Sequence, residues 1–394
     1  MLKATLPEIK RFKGLNNVSD PVRLGLGWLV QADNVDVTDT GQLVKRTGYS
    51  QAMTGNLSSA FSTRDFERAF LVDGNSLKAM TGPSSSIALK SGLATAPMYW
   101  AEINDQVYFN NETDAGIIQP DNTLKDWRWP VPSAPALAPV TGNLPAGLYR
   151  VCCTYILPDG RETGNSDPVE LTLADGQALQ IGAVPLVLGL TTAVYIAPAD
   201  STVFQLAWTS KTATAYVWNS LPDDLGPELR TDGMDPLPLG ADVVQFWKGK
   251  AYAAQHFPKD NQTAIWFSQP LGFHLFNLRT DFFIVSGKVS MLAPTDSALI
   301  VGTDDRIYAY GAEGMGVLAD YGVVPGAHWA IDDDKTLIFW SVRGLCRALP
   351  FSNLTEQQVS VAPGIRAGGC IIRSGGQKRF VACLQQGGEA FNDR

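Results

Sequence analysis

Apolar residues recur in short paired runs that are separated by tight polar or glycine-containing turns. The paired runs occupy residues 69–80, 99–111, 243–255, 298–311, 329–342 and 370–384. The dipeptides at four of the turns are Asp73-Gly74, Asn104-Asp105, Lys248-Gly249 and Gly375-Gly376. Such dipeptides suit the positive φ values of two-residue hairpin turns. Aromatic and β-branched residues flank the turns, and no long amphipathic helix pattern is present, so the pattern predicts an all-β fold.

The hairpins are unevenly spaced, which argues against a strict solenoid. A β-propeller tolerates this irregularity because each of its blades is a small antiparallel meander. We therefore expect an irregular β-propeller body. The number of blades stays open, because the hairpin spacing does not fix it.

The middle of the chain has a different pattern. Residues 131–140 are rich in proline and alanine and are typical of a linker. Polar and apolar residues then alternate over 149–155, Pro158-Asp159-Gly160 is a turn sequence, and further strands follow to about Asn219. This length fits a β-sandwich of about 90–100 residues. The predicted domains are 1–50 (docking segment and first strands), 51–130 (propeller body), 131–220 (inserted sandwich) and 221–394 (propeller body).

Charge is distributed unevenly along the chain, whose net charge is −8. Residues 131–245 hold four basic and twelve acidic residues, and the remainder holds 27 of each. The middle segment therefore accounts for the whole net charge, which supports an inserted domain. The balance also argues against a protein that grips duplex DNA, because that function needs clustered lysine and arginine.

Length and composition limit the other possibilities. A chain of 394 residues exceeds what one core usually serves, so two or more domains are expected. No run approaches the roughly 20 apolar residues of a membrane span. The start lacks the apolar stretch of a signal peptide, so we expect synthesis in a cytoplasm. We expect buried thiols rather than disulfides or zinc ligands at Cys152, Cys153, Cys346, Cys370 and Cys383.

No catalytic or metal-binding constellation is recognisable in the sequence, and no cofactor is expected. His256, His274 and His328 have no second histidine or cysteine at ligand spacing, which favours structural roles. The aspartates at 332–334 lack the alternating ligands of an EF-hand, so we expect a solvated turn. The glycines at 311–316 lack the ending of a phosphate-binding loop. Two carboxylates from distant strands could still support glycosidase chemistry, so an enzyme remains a weak alternative.

The stretch from residue 11 to 48 combines a predicted hairpin with a basic end. Residues 34–37 alternate polar and apolar side chains, Asp39-Thr40-Gly41 is a turn sequence, and Leu43 resumes a strand. Basic residues cluster around it at Lys10, Arg11, Lys13, Arg23, Lys45 and Arg46. They could contact phosphate or an acidic partner, although charged residues near a chain end are often merely solvated. Both interpretations stay open.

Three phrases resemble the nozzle and hub proteins in the tails of short-tailed bacteriophages. In the first, the matching residues are Lys13, Gly14, Asn17, Asp20, Pro21, Arg23, Leu24, Asn34, Gly41, Leu43, Lys45, Arg46 and Gly48. The second is similar to fibronectin-III or immunoglobulin-like modules of virion proteins through Ala146, Gly147, Tyr149, Thr154, Tyr155, Asp159, Gly160, Arg161, Glu162 and Ser166. The third phrase, AIWFSQPLGFHLFN, spans 264–277.

The resemblance implies a structural virion protein. Its copies would form a hexameric nozzle or hub ring that extends the head–tail connector and forms the channel for DNA ejection. The expected partners are the adaptor ring of the connector, tail fibre or tail-tip proteins, and genomic DNA that crosses the lumen without specific binding. Assembly would take place in the host cytoplasm, and no membrane span is expected.

In such a ring the important residues form contacts between subunits, with aromatic and arginine anchors. The predicted interface residues are Phe12, Lys13, Arg23, Leu24, Trp28, Lys45, Arg46 and Tyr49. An acidic lumen would repel phosphate and keep the duplex mobile. The residues predicted to line an acidic channel or surface are Asp223, Asp224, Glu228, Asp232 and Asp235.

The alternative is a β-propeller binding module that recognises carbohydrate or a host surface protein. Ten tryptophans could supply sugar-binding platforms. Trp208, Trp266 and Trp340, however, occupy alternating strand positions, where burial in the core is the default.

Overall fold

The computed structural model of the chain describes residues 9–46, 48, 50–326, 328–374 and 377–387. Regular structure in these ranges is almost entirely β-strand, and its helical content is one 3₁₀ turn at Pro222–Asp224. The predicted all-β fold is confirmed. Within the same ranges no helix has the length and apolar character needed to cross a membrane.

The chain divides into two compact units. The first consists of Met1–Tyr99, His256–Thr263 and Val285–Arg394, and the second of Trp100–Gln255 and Ala264–Ile284. The domain boundaries proposed from the sequence, near residues 50, 130 and 220, stay a prediction.

Two small sheets form the amino-terminal part of the first unit. Strands β1 (Gly14–Leu15) and β2 (Trp28–Leu29) pair in parallel. Strands β3 (Val35–Val37) and β4 (Leu43–Lys45) pair antiparallel. The chain reverses between β3 and β4 at Gly41, which has a φ of +80°. The hairpin predicted from the alternating residues and the Asp-Thr-Gly turn is therefore confirmed.

Two four-stranded antiparallel meanders follow. The first contains β5 (Leu57–Ser62), β6 (Ala69–Asp73), β7 (Ser76–Gly82) and β8 (Ser85–Lys90). The second contains β9 (Tyr99–Ile103), β10 (Gln106–Asn110), β11 (Ala115–Ile118) and β12 (Leu124–Lys125). Asn104 and Asp105 form the turn between β9 and β10 with positive φ, as predicted. The turn between β6 and β7 lies one residue later than predicted, because Asp73 still pairs with Ser76.

The middle of the chain folds into a two-layer sandwich. Its strands are β13 (Leu137–Leu144), β14 (Gly147–Ile156), β15 (Val169–Leu173), β16 (Gln177–Ile181), β17 (Thr191–Ala197), β18 (Gln205–Ser210) and β19 (Tyr216–Trp218). One sheet has the order β13-β16-β19 and the other β15-β14-β17-β18. Both sheets contribute to one core, in which Cys153 lies. Cys152 lies in a separate cluster with Tyr195, so the two cysteines face opposite sides of β14 as expected.

Tyr149 anchors this sandwich core. Its side chain is fully buried, and its ring packs edge-on against Trp218 with the ring centroids 6.0 Å apart. The hydroxyl donates a hydrogen bond of 2.9 Å to the carbonyl oxygen of Pro145. The same side chain therefore fills the core and closes the turn that precedes β14.

Replacement of Tyr149 by Phe is expected to lower the free energy of unfolding by about 1 kcal/mol, because it removes this hydrogen bond and keeps the ring. Urea-induced unfolding measures the change. The matched control is Tyr216→Phe. Tyr216 is 44% exposed, so removal of its hydroxyl should leave the free energy of unfolding unchanged. Equal stability of the two variants would show that the Pro145 contact contributes nothing.

Three further meanders complete the series. They contain β20 (Val243–Trp247), β21 (Lys250–Phe257), β22 (Gln262–Gln269), β23 (Gly272–Phe276) and β24 (Phe282–Ser286); β25 (Val289–Pro294), β26 (Ala298–Thr303), β27 (Ile307–Gly311) and β28 (Gly314–Ala319); and β29 (Trp329–Ile331), β30 (Leu337–Ser341), β31 (Gly344–Ala348) and β32 (Ser352–Asn353). A hairpin of β33 (Arg366–Ser374) and β34 (Gln377–Gln385) follows. The Lys248-Gly249 turn is confirmed, whereas the Gly375-Gly376 turn lies outside the described residues.

Apart from β24, which pairs with β22, strands that are neighbours in sequence are neighbours in each of these sheets, which is the strand order of propeller blades. In the first unit, β25–β28 and β29–β32 share a core that includes Ile300 and Phe339, both fully buried. The predicted fold class, an all-β chain of irregular propeller-type meanders with an inserted sandwich, is confirmed.

Candidate functional site: an amino-terminal docking segment

The described part of the predicted amino-terminal segment is residues 9–46, and from here the name docking segment refers to these residues alone. They contribute no large apolar side chain to a buried core. Three residues of the segment are buried, namely Asn16, Gly27 and Gly41. Its exposed apolar side chains are Ile9, Val18, Val22, Leu26, Val30, Leu43 and Val44. Val22 is 92% exposed. The segment therefore exposes seven large apolar side chains and buries none.

Polar contacts hold the segment to the carboxyl-terminal part of the same unit. The Asn17 side-chain amide donates to the carbonyl oxygen of Ser360 at 2.9 Å, and its oxygen accepts from the Ser360 amide at 2.7 Å. The Asn17 backbone amide donates to the carbonyl of Gln358 at 3.0 Å. Three hydrogen bonds at one residue therefore fix the segment to a loop more than 340 residues away in the sequence.

A second polar attachment centres on Asp36 of β3. Its carboxylate accepts from Arg46 at 3.1 Å and from Arg379 of β34 at 2.7 Å. Only 19% of the Asp36 side chain is exposed. The hairpin β3–β4 is thus joined to β34 by one carboxylate that serves two guanidinium groups.

The predicted interface residues fall into three groups. Lys13, Arg23, Lys45 and Arg46 are exposed, while Phe12, Leu24 and Trp28 are half-buried. Tyr49 lies outside the described residues. Arg46 already binds Asp36, so its guanidinium helps to position the hairpin. The exposed Val22 and Leu26 were not among the predicted residues.

An open cleft of about 470 Å³ lies within the docking segment. Phe12 and Val37 form apolar parts of its wall, and Arg11, Lys13 and Asp39 supply the charged groups. The Arg11 guanidinium donates to the carbonyl oxygens of Thr40 at 3.1 Å and of Asp39 at 3.2 Å. These bonds hold Arg11 against the turn but leave its charge without a carboxylate partner in the described chain.

Gly41 is required for the cleft in two ways. Its φ of +80° lies in the left-handed region, and its carbonyl oxygen accepts the Phe12 amide at 2.8 Å. A Cβ atom at this position would lie 3.0 Å from the Phe12 carbonyl oxygen. Only glycine therefore allows the turn and the backbone of Phe12 to approach this closely.

The predicted acidic residues lie in the loop that follows the sandwich, residues 221–235, which we call the acidic loop. Asp223, Asp224, Glu228 and Asp232 are exposed. Asp235 differs, because it is half-buried and its backbone pairs with Phe276. Burial raises the pKa of the Asp235 carboxyl group.

The histidines serve structural contacts. His274 is buried, its Nε2 lies 3.0 Å from the carbonyl oxygen of Glu162, and burial lowers its pKa. His256 places Nδ1 3.2 Å from the Thr263 hydroxyl. His328 is fully buried. The described ranges contain no group of three or more His, Cys, Asp or Glu side chains arranged to hold a metal ion.

The aspartates at 332–334 form the turn between β29 and β30, as predicted, but two of them are not simply solvated. Asp332 forms an ion pair with Lys378, in which Oδ1 and Nζ lie 2.5 Å apart, and Asp333 forms an ion pair with Arg373. Both partners lie on the hairpin β33–β34. The expectation of a solvated turn is wrong for Asp332, whose side chain is only 13% exposed, because it ignored a partner strand later in the chain. Asp333 forms its ion pair at the surface and is 67% exposed.

The expectation of buried thiols holds for three of the five cysteines. Burial raises the pKa of the thiols of Cys152, Cys153 and Cys346, and that of Cys153 reaches about 12. A raised pKa keeps these thiols protonated and therefore unreactive. The expectation is wrong for Cys370 and Cys383, which are exposed. Their positions on β33 and β34 share one face, because Gly368 pairs with Cys383, and that face is open to solvent.

No protein-family model matches the chain, and a comparison with curated proteins finds no match. Among the solved structures that resemble it weakly are three bacterial proteins. The extracellular domain of a hybrid two component system of B. thetaiotaomicron is 9% identical, with 79% of this chain and 35% of that chain covered and a TM-score of 0.30. Porphyromonas gingivalis dipeptidyl peptidase 4 is 11% identical, with 83% of this chain and 48% of that chain covered and a TM-score of 0.29.

The third structure, PorZ of the type-IX secretion system of P. gingivalis, is 12% identical, with 88% of this chain and 55% of that chain covered and a TM-score of 0.23. The chain thus spans between about a third and just over half the length of these structures. At such scores the similarities carry no argument about function.

Proposed function

We propose that the chain is a structural subunit of a phage tail nozzle or hub ring, which extends the head–tail connector and forms the channel for DNA ejection. The docking segment is the observation that carries this proposal. It exposes seven large apolar side chains and several basic ones, buries none in a core and is held by polar contacts. A surface of apolar anchors with a charged rim is what a subunit contact requires.

The acidic charge of the chain supports a conduit rather than a DNA-binding protein. Exposed carboxylates predominate in the middle segment, where basic residues are few. A lumen lined by such groups repels the phosphate backbone and lets the duplex slide. We propose that some of these acids face the channel, that the protein resides in the virion, and that it has no catalytic activity or cofactor.

A binding module for carbohydrate or a host surface protein is the second candidate. Tyr216 is 44% exposed and stacks on the half-buried Trp208 with the ring centroids 4.3 Å apart, which offers one aromatic face at the sandwich edge. The tryptophans give this candidate less support. Trp340 is buried as expected, Trp208 and Trp266 are half-buried, and none of the ten tryptophans is exposed.

The mass of the purified chain in solution tests the proposal. We expect a closed oligomer, formed alone or with its connector ring, that light scattering and native mass spectrometry report as a multiple of 42.5 kDa. Electron microscopy should show rings whose lumen is lined mainly by acidic residues. A strictly monomeric protein in both conditions, together with hits on a glycan array, would favour the binding module. A lumen lined mainly by lysine and arginine would contradict the channel.

A further inference from the structure

The docking segment carries positive charge that the described part of the chain does not neutralise. Lys10, Lys13 and Lys45 are exposed and form no ion pair within the described ranges. Arg11 uses its guanidinium on two carbonyl oxygens rather than on a carboxylate. By contrast, Arg46 is paired with Asp36. Arg11 and Lys13 line the cleft, Lys10 adjoins Arg11 in the chain, and Lys45 lies on β4 of the same segment. This excess of positive charge gives the segment an electrostatic preference for an acidic group.

The cleft also has an apolar part. Phe12 and Val37 line it beside the charged groups of Arg11, Lys13 and Asp39. The carboxylate of Asp39 offsets only one of the two cations, so the rim of the cleft keeps a net positive charge. A segment that places an apolar side chain close to two or more carboxylates matches both the apolar wall and the positive balance of such a cleft.

The acidic loop presents this combination. Leu221 is 64% exposed and directly precedes the 3₁₀ turn Pro222–Asp224. Asp223 and Asp224 on that turn are exposed, and so is Glu228. None of these three carboxylates forms an ion pair with a residue that the structure describes. The loop therefore exposes an apolar residue and unpaired negative charge within four positions.

We propose that the acidic loop of one copy occupies the cleft in the docking segment of a second copy. Leu221 would lie against Phe12 and Val37, and the two aspartates would face Arg11 and Lys13. The inference rests on the proposed function, because it names the partner of the docking segment. Of the acids in the middle segment, it assigns those of the loop to a subunit contact and leaves the others available to the lumen.

The proposed contact joins two different surfaces, so it is heterologous. Heterologous contacts produce closed rings when the rotation between subunits closes, and open chains when it does not. Exposed charges at the rim act mainly on the association rate and are screened by salt. Assembly should therefore weaken steadily as the salt concentration rises from 0.05 to about 1 M.

A reciprocal charge reversal tests the pairing. The first variant carries Lys10→Glu, Lys13→Glu and Lys45→Glu, and the second carries Asp223→Lys, Asp224→Lys and Glu228→Lys. Each variant alone brings like charges together, and we expect its self-association to fall by about tenfold or more. An equimolar mixture restores opposite charges at every contact, so oligomers should return with the two variants in equal amounts. Native mass spectrometry measures the composition.

Two charge-matched controls separate this pairing from a general effect of charge. They are Lys211→Glu with Lys259→Glu and Lys288→Glu, and Asp175→Lys with Asp260→Lys and Glu313→Lys, all at exposed positions. Both controls should assemble as the wild-type chain does. All substituted side chains are exposed, and circular dichroism verifies that each variant folds.

The outcomes distinguish the two proposals. A wild-type chain that is monomeric at every salt concentration, with and without the connector ring, would overturn the ring and the pairing together. A wild-type chain that assembles while both reversed variants assemble equally well would overturn the pairing alone. Loss of assembly in the variants without recovery in the mixture would likewise contradict it.

Discussion

Removal of residues 1–48 is expected to leave a folded chain that no longer assembles. The deleted stretch holds the cleft, the exposed apolar residues of the docking segment, and Lys10, Lys13 and Lys45, so the surface proposed for docking is lost completely. The body loses no core, because residues 9–46 bury no large apolar side chain. The contacts that disappear are chiefly the hydrogen bonds of Asn17 to Ser360 and Gln358 and the ion pair between Asp36 and Arg379.

The cost in stability should therefore be small. Hydrogen bonds of this kind contribute roughly 0.5–1.5 kcal/mol each, and a partly exposed ion pair contributes about 1 kcal/mol or less. Circular dichroism should report an unchanged β spectrum and a melting temperature only a few degrees lower, since about 1 kcal/mol corresponds to a few degrees. Light scattering should report a monomer where the full chain is oligomeric.

A shorter deletion provides the control for this experiment. A chain that lacks only residues 1–8 keeps the cleft and all exposed apolar residues of the docking segment, so it should assemble normally. If the chain without residues 1–48 still forms rings on the connector, the docking assignment is wrong. If it fails to fold, substitution of Val22 and Leu26 by serine tests the same surface with the hydrogen bonds of Asn17 intact.

The features that sequence reasoning predicted well are local. The turn at Asn104-Asp105 and the hairpin across Gly41 depend on residues that are neighbours in the chain and on backbone conformations that few residue types accept. The alternation on β14 likewise placed Cys152 and Cys153 on opposite faces, where they lie in separate clusters. A period of two and a turn sequence determine such features without any knowledge of the rest of the fold.

The features that it missed depend on long-range partners. The contact of Asn17 with Ser360 joins positions 343 residues apart, and nothing in either short segment indicates the other. The ion pair of Asp332 with Lys378 converted an expected solvated turn into an attachment point. Cys370 and Cys383 are exposed because their hairpin covers the body with its other face, and a strand pattern alone does not decide which face is covered.

The candidate site was predicted in part for the same reason. The basic residues of the docking segment are visible in the sequence, and most are exposed as a contact surface requires. The cleft could not be predicted, because it depends on the approach of Phe12 to the Gly41 turn and on the placement of Arg11 against the Thr40 carbonyl. The charge of the docking segment follows from its residue types, whereas the shape of the cleft depends on contacts between residues that are distant in the chain.

Acidification is expected to destabilise the chain between about pH 6.5 and pH 4 through His328. This side chain is fully buried, its Nδ1 accepts a hydrogen bond of 3.3 Å from the Trp340 amide, and its Nε2 has no partner in the described structure. Burial lowers its pKa from 6.5 to about 4, because a charged imidazole would lose its hydration. The folded state therefore keeps the ring neutral where the unfolded chain would protonate it.

The sign of the effect follows from proton binding. Below pH 6.5 the unfolded chain binds a proton at His328 that the folded chain does not, so the free energy of unfolding falls as the pH drops. The loss stops near pH 4, where the folded state also binds the proton. A pKa difference of this size corresponds to about 3 kcal/mol as an upper value, which is a large share of the stability of a typical protein.

Urea-induced unfolding of the wild-type chain and of His328→Gln at a series of pH values from 7 to 4 measures this contribution. Carboxylates also lose their ion pairs in acid, so the informative quantity is the difference between the two pH dependences. Between pH 7 and pH 4 the free energy of unfolding of His328→Gln should fall by about 3 kcal/mol less than that of the wild-type chain, whatever the stability of the variant at pH 7. Parallel curves for the wild-type chain and His328→Gln would mean that the ring is hydrated and titrates normally in the folded state.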